Sequence, residues 1–190
     1  MRMQWQQSNS NKLYQFLLVQ IIDYGRGFLG DRGWKQSNKA FDCEVTALND
    51  YLHSKANQHA SKDNTRTYIL ENSENPSDIV GYYTLTMTTI ELSKLPPKLQ
   101  KKHFNNPSSA LIARLAVDKK YKHRKIGSWL LIDALKRVLN ASDIVAFPMV
   151  IVDAKDGVVE FYEKFGFSPF LHEKKKLYLP IATIRANFSD

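Results

Sequence analysis

One continuous stretch, from Ala110 to Ala154, narrows the folds open to this chain more than any other. It opens with ALIARLAV (Ala110–Val117), an apolar run of strand length, and continues into DKKYKHRK, where six of eight residues are basic. From Gly127 to Leu139 the spacing predicts a helix, with Leu131, Leu135, Val138 and Leu139 on its buried side. VAFPMVIVDA (Val145–Ala154) is apolar enough for a central strand, with Pro148 near its start, where a missing N–H disturbs a sheet least. A helix that crosses over between two strands returns the chain to its starting end, so these strands are expected to be parallel neighbours. That predicts a mixed α/β fold.

The flanking sequence fits the same class. Asp42 can cap a helix whose apolar face is Val45, Leu48, Leu52 and Ala56. RTYIL (Arg66–Leu70) and IVGYYTLTMTTIEL (Ile79–Leu92), separated by the turn-rich ENSENPSD, read as an antiparallel hairpin. Pro96 and Pro97 break the chain. DGVVEFYEKFGF is a helix stopped by Gly166, with Asp156 the expected cap, and KKKLYLPIATI is a closing strand. Residues 39–190 are thus the expected α/β domain. Residues 1–38, rich in Gln and Asn and then apolar before GRGFLGDRG, form an N-terminal appendage, read as one helix and a turn-rich connector.

Charge and cysteine usage bound the function. A net charge of +8 on 190 residues favours polyanionic partners, nucleic acid or a phosphorylated ligand. The single cysteine, Cys43, rules out an internal disulfide framework and a Cys-based zinc site. His53, His59, His103, His123 and His172 have no metal-ligand spacing, so no metal is predicted. LYQFLLVQII (Leu13–Ile22) is too short to span a bilayer and lacks a cleavage site, so a cytoplasmic protein without membrane attachment is expected. The sets PPKLQKKH, KKYKHRK and HEKKK are either solvated surface or, if folding gathers them, an RNA footprint that includes Lys101, Lys102, Lys174 and Lys175.

The basic loop enters a helix, and a helix start offers free N–H groups and a positive dipole end to an anion. Only Gly127 is present there, so neither a Walker nor a Rossmann loop is formed. RLAVDKKYKHRKIGSWLLIDALKR resembles the core of the GNAT N-acetyltransferases, whose loop pattern is Arg/Gln-x-x-Gly-x-Gly/Ala, with Lys122 to Gly127 as the aligned run. FYEKFGF resembles the family's later helix-to-strand motif. Together with FDCEVTALNDYL, RTYIL, GYYTLTMTTIEL, VIVDAKD and LYLP, the resemblance extends over roughly Phe41 to Ile184 and is to the GNAT toxins of bacterial toxin–antitoxin pairs.

The resemblance implies a mostly antiparallel mixed sheet with splayed central parallel strands flanked by helices. It implies acetyl-CoA as cosubstrate, with backbone groups of Leu115, Ala116 and Val117 on the pantetheine arm. The loop of Lys122, His123, Arg124, Lys125, Ile126, Gly127 and Ser128 would hold the pyrophosphate. Lys122 stands where Arg or Gln is usual. Lys125 stands at the first motif glycine, where a Cβ could obstruct close approach or a positive φ, while the amine could add a phosphate contact.

Tyr162 is the position that the toxin family uses to protonate the leaving thiolate; without the motif it would read as a packing residue. Arg114 could touch substrate or cofactor, or make a strand-face ion pair. Tyr82 and Tyr83 could approach the acceptor amine or belong to the core. The implied acceptor is the α-amino group of charged tRNA, and the implied partner a small ribbon-helix-helix antitoxin, with a homodimer left open. Two other readings are a GNAT enzyme for a protein or small-molecule amine, and a non-catalytic acyl-CoA or RNA-binding module with a degenerate loop.

Overall fold

The computed structural model describes residues 19–24, 39–103 and 105–188. They fall into two compact units, one from the described parts of 6–85 and 114–134, the other from those of 86–113 and 135–190. Strand β1 (Val19–Tyr24) pairs antiparallel with β2 (Arg66–Asn72), from Val19 opposite Asn72 to Tyr24 opposite Thr67. This described part of the N-terminal segment is a strand, where a helix was expected; the rest of that expectation lies outside the described residues. β2 pairs antiparallel with β3 (Asn75–Thr89), Arg66 opposite Leu85, with register shifts around Glu71. That is the hairpin read from the sequence, with both strands extended into the expected turn and β3 ending at Thr89, short of Leu92.

Between β1 and β2 lies a helical run made of α1 (Thr46–Asp50), a wide π-helical turn (Tyr51–Lys55) and α2 (Ala56–Ser61). The expected apolar face is buried: Leu52 and Ala56 join a core cluster with Phe41, Cys43, Tyr51, Ile69, Ile79, Tyr82 and Ala116, and Val45 and Leu48 pack on it. The expected cap is not formed. The helix starts at Thr46 with no side-chain cap, and the Asp42 carboxylate bonds elsewhere. Three residues lie between Asp42 and Thr46, and the N-cap position itself is Val45, so the Asp42 carboxylate is too far back to cap the first turn.

The other unit contains α3 (Pro97–Gln100) and the start of β4 (Ser108–Val117). β4 pairs parallel with β5 (Met149–Asp153), Ala110 opposite Val150 through Ile112 opposite Val152, and then runs on to Val117. β5 starts directly after Pro148, as the missing N–H favours. It also pairs antiparallel with β7 (Glu173–Pro180), which takes the short β6 (Ser168–Phe170) on its far side. The strand orders are therefore β1-β2-β3-β4 and β4-β5-β7-β6. Ile90, Leu95, Met149, Ile151, Phe170 and Tyr178 form this unit's core cluster.

α4 (Ile126–Ser142) is the expected crossover helix, with Leu130, Leu131, Ala134 and Leu135 fully buried. α5 (Val159–Glu163) ends where Gly166 takes φ 87, the left-handed stop anticipated for it. Asp156 does not cap α5; Val158 precedes the helix, and the exposed Asp156 pairs with Lys175 at 2.5 Å. The chain also departs from the expected closing strand: β7 ends at Pro180 and α6 (Ile181–Phe188) follows, burying Ile181 and Ile184. The spacing of those two residues suits a helix, and Pro180 marks the change.

Candidate active site

The turn from β4 into α4 is built by a buried acid. Asp118 is 1% exposed, and its carboxylate accepts from the Lys120 N–H (2.9 Å) and from the Asp42 N–H (2.9 Å). A single 3-10 turn, Lys119–Tyr121, follows, and its Tyr121 hydroxyl bonds to Asp78. The backbone then takes a left-handed conformation at His123 (φ 63) and again at Lys125 (φ 59). Such alternation of φ gathers successive N–H groups on one side, a shape that suits an anion. The first helical hydrogen bond runs from Trp129 N to Lys125 O (3.1 Å), which leaves the N–H groups of Ile126, Gly127 and Ser128 without helical acceptors.

Lys125 thus adopts the backbone that a motif glycine would supply, and its exposed Cβ costs strain instead of closing the turn. Lys125→Gly is expected to stabilise the fold by about 0.5–1 kcal/mol in chemical denaturation, the relief of left-handed strain exceeding the added freedom of the unfolded chain. If the amine contacts phosphate, the same substitution weakens acetyl-CoA in titration calorimetry; if the Cβ obstructs, it tightens it.

Much of the basic run is neutralised in place. Lys119 pairs with Asp42 (2.8 Å), Lys120 with Asp78 (3.6 Å) and Lys122 with Glu44. The Lys119 ammonium holds the Asp42 carboxyl far below the usual carboxylate range, helped by the Glu44 N–H and Asn49. Arg124 lies 5.6 Å from the Tyr121 ring centroid, and both it and Lys125 are exposed at the helix mouth. The sequence did not distinguish these roles. Their acidic partners come from the chain before α1 and from β3, too remote for local spacing to register.

Of the roles considered for it, Arg114 does not form the strand-face ion pair among the described residues. Its guanidinium carbon sits 3.5 Å from the centroid of Tyr51, whose ring stacks with Tyr82. Tyr82 and Tyr83 are core residues at 0% exposure, their hydroxyls donating to Leu48 O (2.8 Å) and to Asp133. Gly81, between Val80 and Tyr82, lets β3 approach β4 closely: a Cβ there would lie 2.7 Å from Ala116 O. Leu115, Ala116 and Val117 therefore run against a strand that has no side chain at that point.

In the other unit Tyr162 lies on α5, 8% exposed, with its ring edge-on to Phe161 and Phe167. Burial pushes its hydroxyl up to about 12, so it stays protonated at neutral pH. The other buried tyrosines bond their hydroxyls: Tyr51 to Thr65, Tyr82 to Leu48, Tyr83 to Asp133, Tyr121 to Asp78 and Tyr178 to Ser168. Among the described residues Tyr162 has no such partner. A tyrosine serving packing alone gains nothing from a hydroxyl left uncommitted.

Lys101, Lys102, Lys174 and Lys175 are all exposed, and only Lys175 has an ion pair among the described residues. No group of three or more His, Cys, Asp or Glu among the described residues could hold a metal. No helix among them is long and apolar enough to cross a membrane.

Residues 103–181 match the family model of the acetyltransferase (GNAT) domain. The chain is similar to a tRNA-acetylating toxin of Mycobacterium tuberculosis, 27% identical over 152 residues that cover 80% of this chain and 90% of the toxin. The structure of AtaT complexed with acetyl-methionyl-tRNAfMet matches 90% of this chain and 99% of its own, at 28% identity and TM-score 0.79. A Tyr→Phe mutant of AtaT bound to the C-terminus of the antitoxin AtaR and acetyl-CoA matches at 25% identity and TM-score 0.74, with 90% and 99% of the two chains covered. The enzyme is an acetyl-CoA-dependent N-acetyltransferase, and the residues of its GNAT loop fit the cosubstrate's diphosphate. Left-handed turns at His123 and Lys125, open N–H groups at the start of α4, and exposed Arg124 and Lys125 are all suited to that anion.

Proposed function

We propose that this enzyme acetylates the α-amino group of an aminoacyl-tRNA, acts as a translation-blocking toxin in the cytoplasm, and is held in check by an antitoxin of the ribbon-helix-helix class. The observation that supports this reading best is the likeness, over 90% of the chain, to AtaT complexed with acetyl-methionyl-tRNAfMet. The net charge of +8 and the exposed Lys101, Lys102, Lys174 and Lys175 agree with a polyanionic acceptor.

Acetyl-CoA supplies an activated acyl group as a thioester. An α-amino group titrates near ~8, so a useful fraction is neutral at physiological pH and needs no strong base. Backbone N–H groups of Leu115 or Val117 are suited to polarise the carbonyl oxygen. Tyr162 donates its O–H to the departing sulfur. At about 12 its hydroxyl is a weaker acid than a free thiol, which titrates near ~8.5. Its contribution is therefore a hydrogen bond that strengthens as negative charge develops on the sulfur, while the proton released from the acetylated nitrogen balances the departing thiolate.

Incubating the enzyme with labelled acetyl-CoA and total charged tRNA, then identifying the labelled species, tests the reading. Label on the amino acid of charged tRNA is expected; label on protein or a small amine alone would refute it. Charge reversal at Lys101 and Lys102, or at Lys174 and Lys175, is expected to weaken tRNA binding several-fold and flatten its salt dependence, with acetyl-CoA affinity unchanged. An unchanged salt slope in both double mutants would remove these lysines from the footprint. Lys175 is the weaker candidate of the four, because Asp156 already partners it.

A further inference from the structure

The motif loop is held from outside the matched domain region. Asp42 lies well before residue 103, where the family match begins, yet it meets the loop through both its backbone and its side chain. Its N–H donates to Asp118 (2.9 Å), its carbonyl accepts from the Lys119 N–H (2.8 Å), and its carboxylate accepts from the Lys119 ammonium (2.8 Å). The same carboxylate accepts from the Glu44 N–H (2.9 Å) and from Asn49 (2.8 Å). Glu44 is thereby held at φ 66, and its carboxylate receives Lys122. Asp42 to Glu44 and Asp118 to Lys122 form a two-sided clip that ends directly before the left-handed His123.

We propose that Asp42 is a positioning residue for acetyl-CoA, presetting the diphosphate loop through Asp118, Lys119 and Glu44. A loop with left-handed residues at His123 and Lys125 does not adopt that shape by preference, so something must hold it before the ligand arrives. The clip does this with two backbone bonds of Asp42, and the Asp42 carboxylate holds that backbone in place by gathering the Lys119 ammonium, the Glu44 N–H and Asn49. It also decides which basic groups remain for the ligand: Lys119 and Lys122 are anchors, whereas Arg124 and Lys125 are available.

The sign of one substitution separates this from simple electrostatics. Asp42→Asn removes a negative charge near a site for a diphosphate, so charge alone would tighten acetyl-CoA. Positioning requires the opposite. Asp42→Asn in the full chain is expected to raise the acetyl-CoA Kd in titration calorimetry and its KM about tenfold, with kcat at saturation within about twofold. Asp42→Glu should recover part of the loss, and Lys119→Met, which leaves Asp42 in place, should reproduce its direction.

Amide exchange in the ligand-free variants is expected to quicken selectively over residues 120–128. An unchanged or tighter Kd for Asp42→Asn would overturn the proposal. So would exchange that quickens across the whole chain without a preference for the loop. Calorimetry with acetyl-CoA needs no acceptor, so this result stands whether or not charged tRNA is the amine substrate.

Discussion

Tyr162→Phe is expected to lower kcat by about 10²-fold or more, with acetyl-CoA affinity nearly unchanged. The substitution deletes one oxygen from a ring packed against Phe161 and Phe167, and that oxygen bonds to no described residue. Stability should therefore hold within about 0.5 kcal/mol, the range of changes that break no partner. The hydrogen bond to the leaving sulfur exists mainly in the transition state, so its loss falls on kcat. In the wild type, a hydroxyl at about 12 keeps its proton through the usable range. The pH profile of kcat/KM should rise with deprotonation of the acceptor amine near ~8 and show no falling limb up to about pH 10. In cells, the Phe variant should be tolerated without antitoxin. A wild-type rate for the variant, measured where chemistry limits, would return Tyr162 to a packing role.

Much of this arrangement was legible in the residues, because its strongest signals are local. The strand–loop–helix–strand run predicted the parallel pair of β4 and β5, and helical periodicity gave Leu131, Leu135 and Val138 of the buried side of α4, with Leu139 only half-buried. Gly166 announced the end of α5 through a conformation that few other residues accept. The misreadings came where a residue had both a local and a distant partner available. Asp42 and Asp156 suit a helix start by type, but each found a lysine far along the chain, Lys119 and Lys175. Arg114 suggested an ion pair, and its aromatic partner Tyr51 lies in a π-helical turn that periodicity does not reveal. In the closing segment the apolar β7 half dominates the pattern, and the change of period after Pro180 spans only eight helical residues. Lys125 is the instructive case: the sequence identified the position as one that needs glycine-like backbone, and the chain adopts that backbone with a lysine.

Gly81→Ala carries the second large effect, and its cause is entirely steric. Gly81 is not among the positive-φ residues, so alanine meets no conformational obstacle there and should even gain about 0.4–1 kcal/mol from a stiffer unfolded chain. Against that, the new methyl lies 2.7 Å from Ala116 O and 2.9 Å from a Leu130 methyl, both closer than packed atoms tolerate. Leu130 is fully buried and Ala116 is backbone in a strand, so the contact must be relieved by moving β4 away from β3. Overpacking of this kind costs about 1–3 kcal/mol, and the expected result is a Tm lower by several degrees. The displacement falls on Leu115 to Val117, where the pantetheine arm is expected, so acetyl-CoA affinity should drop by about tenfold or more. Leu130→Ala added to Gly81→Ala decides the cause, because it removes the side-chain contact and leaves the carbonyl. Affinity that stays low in the double mutant places the damage in the β4 backbone; affinity restored by the added cavity would mean that Leu130, not Ala116, sets the limit. Wild-type Tm and Kd in the single mutant would show that β3 and β4 do not approach as closely as Gly81 allows.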